Sequence, residues 1–120
     1  MIVFRADGNS EIGSGHVMRC LSIAEVARDL GEECIFITSS DDMTSVIKGK
    51  SFDNIVLNTD YREMESEGIL LALKAFTKPI VFVDSYYVSK EYLKSLKVYC
   101  EENGGKLIYM DDIKKFVNAP

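Results

Sequence analysis

The sequence predicts an α/β domain, a doubly wound parallel sheet of about five strands. Two observations carry that prediction. Five short apolar runs rich in β-branched and aromatic residues recur along the 120 residues, and helical patterns stand between them. The runs are continuous rather than alternating, as expected of strands buried on both faces of a parallel sheet. A regular strand–helix alternation then implies right-handed crossovers between neighbouring strands.

The first run is Ile2-Val3-Phe4. A helical pattern follows over 16–30, with Val17, Cys20, Leu21, Ala24 and Ala27 on one stripe and Arg19, Ser22, Glu25, Arg28 and Asp29 opposite, ended by Gly31. The second run is Cys34-Ile35-Phe36-Ile37, after which 41–48 reads as a shorter helix. The third run, Ile55-Val56-Leu57, leads to a helix over 62–76 with Ile69, Leu70, Leu73 and Phe76 apolar. After the fourth run, Ile80-Val81-Phe82-Val83, a helix is expected from Ser89 as N-cap to the Gly104-Gly105 stop. Leu107-Ile108-Tyr109-Met110 is the fifth run. No repeat, low-complexity tract or linker interrupts 1–120, so a single domain is expected.

Composition narrows the function classes. With 47% hydrophobic and 28% charged residues the chain can bury a core without a disulfide or metal staple. The net charge of -5 disfavours a broad nucleic-acid surface. Cys20, Cys34 and Cys100 are odd in number and widely spaced, which suggests reduced thiols rather than a disulfide framework or zinc site. No apolar stretch approaches the ~20 residues of a membrane span, and the N-terminus lacks a signal-peptide core. These features predict a cytoplasmic protein with no membrane or nucleic-acid partner.

Polar residues collect after each run: Asp7, then Ser39-Ser40-Asp41-Asp42, Asn58-Thr59-Asp60, Asp84-Ser85-Tyr86 and Asp111-Asp112. In open parallel sheets the ligand crevice lies outside the carboxyl ends of the strands, where strand order reverses. With the order 3-2-1-4-5, strands 1 and 4 flank that point, and the loop carrying His16 faces the loop carrying Asp84, Ser85 and Tyr86. Such residues also cap helices and form turns. Capping is the expectation for Asp41, Asp42 and Asn58. A functional role is the expectation for Asp84 and its loop, because a tyrosine pair there has no evident core role.

The segment EIGSGHVMRC, residues 11–20, holds two glycines, a serine and the only histidine, and runs straight into the first helix. Gly13 and Gly15 suit positive φ or close backbone approach to a ligand. A dinucleotide fingerprint needs a third glycine where Met18 stands. A P-loop needs Gly-Lys-Ser/Thr where the chain has Gly15-His16-Val17. A response-regulator reading fails because no Asp ends the third run and no Lys the fifth. At a helix N-terminus the dipole disfavours imidazolium, so His16 is expected neutral near neutral pH and able to accept a proton from water. Asp7 or Asp84 would fix its tautomer. On this reading His16 is either a base or a capping and packing residue.

The stretch RADGNSEIGSGHVMRCLSIA, residues 5–24, closely resembles the opening of the pseudaminic-acid pathway UDP-sugar hydrolases and the related spore coat polysaccharide biosynthesis proteins. VDSYYVSKEYLKSL is similar to their Val-Asp-x-Tyr segment and helix, and YMDD to their Ile-Asp-Asp strand end. The resemblance implies a Rossmann-like N-terminal half of a GT-B-type fold, related to the murein glycosyltransferase. It implies hydrolysis of UDP-2,4-diacetamido-2,4,6-trideoxy-β-L-altropyranose to UDP and the free amino sugar, without metal or cofactor. His16 matches the base that activates water and Tyr86 the tyrosine of the sugar site. Gly13, Ser14 and Gly15 then shape the loop around the pyranose, Asp84 orients sugar or water, and Arg5 and Asp7 support the loop or contact substrate. Arg19 reads as either a solvated helix residue or a ligand contact. Members of that family are about twice this length, and their second domain binds most of the uridine and diphosphate. The chain is therefore expected to be an N-terminal half, inactive alone, whose partners are the UDP-linked amino sugar and a C-terminal domain.

Overall fold

A computed structural model describes residues 1–110. Asp111 and Asp112, the polar end expected for the fifth strand, lie outside the described residues. Within 1–110, strands β1 (Ile2–Ala6), β2 (Cys34–Thr38), β3 (Asp53–Val56), β4 (Ile80–Asp84) and β5 (Lys106–Tyr109) alternate with helices. These are α1 (Gly15–Asp29), α2 (Thr44–Gly49), α3 (Ser66–Leu73) and α4 (Lys90–Glu102). The sheet is all-parallel in the order β3-β2-β1-β4-β5, a Rossmann-like doubly wound arrangement.

The pleat divides the apolar runs between two layers. Ile2, Phe4, Ala6 and Phe36 face α1 and α2, where they meet Val17, Cys20, Leu21, Ala24 and Ile47. Val3, Ile35, Ile37, Val81 and Val83 face α3 and α4, against Ile69, Leu73, Tyr92, Leu96 and Cys100. Register aligns Phe36, Phe4 and Phe82 across β2, β1 and β4, with ring centroids 5.1 and 5.0 Å apart. Each such stacked pair contributes about 0.5–1.5 kcal/mol beyond its buried area. This aromatic row ties β2 to β1 and β4, the two strands whose ends flank the site.

Helix α4 begins as expected. The Ser89 hydroxyl accepts the Tyr92 N–H at 3.0 Å, satisfying one of the donors that a helix start leaves open. The middle helices are shorter than their patterns suggest. Asp60 draws the N–H and guanidinium of Arg62 into a local turn, so α3 starts at Ser66 rather than 62, and it ends at Leu73 rather than 76. Neither the Asp41 nor the Asp42 side chain caps α2. The N-cap of α2 is Met43 with no side-chain bond, while Asp42 accepts the Ser40 hydroxyl at 2.7 Å. Asn58 lies ahead of α3 in the left-handed region, at φ +59°, and is not its N-cap, which is Glu65. All three cysteines are free thiols, with Cys20 and Cys100 buried.

Candidate active site

Strands β1 and β4 are neighbours, but the chain leaves β1 toward the α1 layer and β4 toward the α4 layer. Their carboxyl ends therefore part, and a crevice opens between the two loops. By the pleat, Asp84 follows Ile80 and Phe82 onto the α1 side of the sheet, opposite Ala6 in register. Helix α1 starts at Gly15, which carries its first turn over the end of β4. His16, Arg19 and Cys20 stand at spacings of three and four on one helix face, and that face meets Asp84.

The contact is close. His16 Nδ1 lies 2.6 Å from Asp84 Oδ1. Arg19 donates from Nε to Oδ2 at 2.8 Å and from Nη2 to Oδ1 at 2.7 Å. The Cys20 thiol donates weakly to Oδ2 at 4.0 Å. The Asp84 side chain is only 1% exposed. Burial works to raise its carboxyl, but the hydrogen bonds from His16 and Arg19 outweigh it and hold the carboxyl below the usual range. Beside it, burial and the Asp84 charge push the Cys20 thiol up to about 12, so Cys20 remains a neutral packing group. The hydrogen bond to Asp84 raises Arg19 in turn.

Above this buried carboxylate lies a cleft of about 280 Å³ lined by Ile12, Gly15, His16, Arg19 and Tyr86. The half-exposed Tyr86 ring meets the imidazole edge-to-face, centroids 4.6 Å apart. The rim is a self-closed turn. The Asn9 carboxamide oxygen accepts the N–H groups of Glu11 and Ile12, and Asn9 and Gly13 exchange backbone bonds of 3.2 and 2.8 Å. Gly13 takes φ +75°, which a side chain would strain. Gly15 has no such φ and simply opens the helix, where a Cβ would meet no atom within 4 Å. Its bareness keeps the cleft open rather than bending the chain. Ser14 occupies the N-cap position of α1, exposed and without a side-chain cap bond.

Arg5 and Asp7 occupy a different place. They are 1% and 5% exposed and lie beneath the surface at the ends of β1 and β2. Arg5 donates to Asp7 Oδ2 at 3.0 Å and to Ser39 Oγ at 2.7 Å, while Asp7 Oδ1 accepts the Ser39 N–H at 2.6 Å. Neither side chain is among those lining the cleft, and their bonds brace the strand ends. The Asp7 carboxylate is engaged there, and Asp84 is the one that meets His16.

Arg19, Ile12, Cys20 and Ser39 complete this arrangement. Helix spacing from His16 signals Arg19 and Cys20, whereas nothing in the sequence pattern singles out Ile12 or Ser39.

No family model matches the chain. An uncharacterized protein of Methanocaldococcus jannaschii is 30% identical to it over 113 residues. That match takes in 92% of this chain but 21% of that protein, so the chain spans about a fifth of the length of the curated relative it matches.

Among the described residues no cluster of three or more His, Cys, Asp or Glu is placed to hold a metal ion, and no helix is long and apolar enough to cross a membrane. The site presents a histidine bonded to an ionised, buried carboxylate at the edge of a cleft. Its stability has a pH signature. The depressed Asp84 carboxyl contributes stability above the ordinary carboxylate range, and that contribution is lost as pH falls through its lowered range. Unfolding measured by denaturant below about pH 4 should show wild type losing stability more steeply than Asp84→Asn.

Proposed function

We propose that this chain forms the sugar- and water-facing half of the active site of a nucleotide-sugar hydrolase. Its substrate is UDP-2,4-diacetamido-2,4,6-trideoxy-β-L-altropyranose or a closely similar UDP-linked amino sugar, and its products are UDP and the free amino sugar. The observation that carries the reading is the 2.6 Å contact between His16 Nδ1 and Asp84 Oδ1 at the edge of the cleft. A carboxylate only accepts, so the proton of a neutral ring lies on Nδ1 and Nε2 keeps its lone pair. Nε2 takes a proton from water as the water oxygen bonds to the anomeric carbon. The glycosyl–phosphate bond breaks, and its electron pair leaves with UDP. The Nδ1–H bond to Asp84 stabilises the imidazolium that results, as in other base–carboxylate pairs. Tyr86 lies against the imidazole and lines the space where the pyranose would sit. The motif order over 5–24, 83–96 and 109–112 supports the same assignment, with uridine and diphosphate held by a further domain.

The test is UDP release by the full-length protein from the UDP-amino sugar with no acceptor present. Release at a steady rate is expected. Strict dependence on an added acceptor would make the protein a glycosyltransferase, and unaltered turnover in His16→Ala would remove the catalytic reading.

A further inference from the structure

We infer that Arg19 is a positioning residue that sets the rotation of the Asp84 carboxylate and thereby decides which nitrogen of His16 carries the proton. The inference deepens the reading of His16 as the base and depends on it only for the catalytic consequence. The rotation of a carboxylate about its last bond is soft, with broad minima. Among the described residues, the side-chain donors that reach Asp84 are His16, Arg19 and the weak Cys20 thiol. One hydrogen bond from His16 cannot hold the carboxylate plane. The planar fork of Arg19 can, because Nε and Nη2 engage the two oxygens at 2.8 and 2.7 Å. Oδ1 is thereby aimed at Nδ1.

A purely structural role explains this pairing poorly. The Arg19 side chain is 49% exposed, and α1 is anchored by the buried Val17, Cys20, Leu21 and Ala24. Whatever stability the half-buried pair contributes does not require two donors held in one plane, since a single point charge would supply it. What Arg19 does uniquely is present two donors in a fixed plane to a carboxylate that has its other partner in the imidazole. The charged and titratable groups around the ring are Asp84 from β4, Arg19 and Cys20 from α1, and Tyr86 from the loop after β4. Of these, Arg19 alone engages both oxygens of the carboxylate.

His16 is the only histidine of these 120 residues, so long-range ¹⁵N–¹H spectra of this chain read its imidazole tautomer without ambiguity. At a pH where the ring is neutral, wild type should show the Nδ1–H form. In Arg19→Gln the ratio of Nδ1–H to Nε2–H should fall at least about fivefold, the equivalent of about 1 kcal/mol. Arg19→Lys, which supplies charge from a single point, should fall between the two. Melting midpoints should fall in Arg19→Gln, which takes one partner from the buried carboxylate, and less in Arg19→Lys, which keeps the charge, so the tautomer ratio is read well below both midpoints. A ratio in both variants within about twofold of wild type would overturn the inference. The measurement uses no substrate, so it is separable from turnover. A tautomer that responds to Arg19 in a protein releasing no UDP leaves the positioning role intact and removes the hydrolase reading. An unresponsive tautomer in an active hydrolase does the reverse.

Discussion

Replacing His16 with alanine is expected to slow UDP release by the full-length protein by a factor of about 10²–10⁴, the usual worth of a positioned general base. Affinity for the UDP-amino sugar should change little, because the imidazole supplies one face of a cleft also lined by Ile12, Gly15, Arg19 and Tyr86. Asp84→Asn should produce a loss of the same order by another route. A carboxamide can turn its NH₂ toward Nδ1, which would move the ring proton to Nε2 and leave no lone pair facing water. It would also leave the Arg19 guanidinium without its counter-charge. Steady-state kinetics should show both losses in kcat with KM within a few-fold of wild type, the pattern of an interaction made in the transition state.

The second large effect concerns the fold. A Cβ added at Gly105 would lie 2.0 Å from the carbonyl oxygen of Pro79, with that residue's carbonyl carbon and nitrogen at 3.0 and 3.1 Å. These are backbone atoms, and they cannot swing aside as a side-chain tip would. The same carbonyl accepts the Lys106 N–H at 3.0 Å, so moving it would break the first rung between β4 and β5. Gly105 also donates its N–H to the Cys100 carbonyl at 2.7 Å, closing α4. Gly105→Ala should therefore cost at least about 3 kcal/mol, at the upper end of overpacking. Thermal unfolding should show the midpoint falling by roughly 10 °C or more. A variant that melts with wild type would show that β5 accommodates a side chain there.

Much of the fold was legible because its signals are local. Continuous apolar runs mark strands covered on both sides, and β1, β2 and β4 fall where Ile2–Phe4, Cys34–Ile37 and Ile80–Val83 stand. The edge strand β3 starts before its apolar run of 55–57, because its first residues, Asp53 and Asn54, are polar. Only one flank of β3 is paired, and there Asn54 instead holds Thr44 and Thr38 through its side chain. Helix limits depart from the apolar pattern where a side chain competes with the helix for backbone groups. Asp60 does this before α3, and the Ser40 hydroxyl, which accepts the Asp42 N–H at 3.4 Å, does it before α2. Such bonds depend on local geometry that apolar periodicity does not encode.

The pairing of the two site loops was legible from topology alone, since the strand order brings the ends of β1 and β4 together. Which carboxylate meets the imidazole was not. Asp7 and Asp84 both end a strand, and the choice depends on the pleat and on Arg5. Asp84 lies on the α1 face beneath His16, while Arg5 and Ser39 hold Asp7. The role of Arg19 follows from its place one turn beyond His16, but only once Asp84 is known to lie under both.

The most direct measurement of the central claim is a double-mutant cycle on turnover. Rates of UDP release by the full-length His16→Ala, Asp84→Asn and doubly substituted proteins are compared with wild type. If His16 and Asp84 act as one unit, the double variant should be no slower than His16→Ala alone, because the carboxylate has nothing left to orient. Losses that multiply would show two independent contributions and contradict the account of a carboxylate-aligned base.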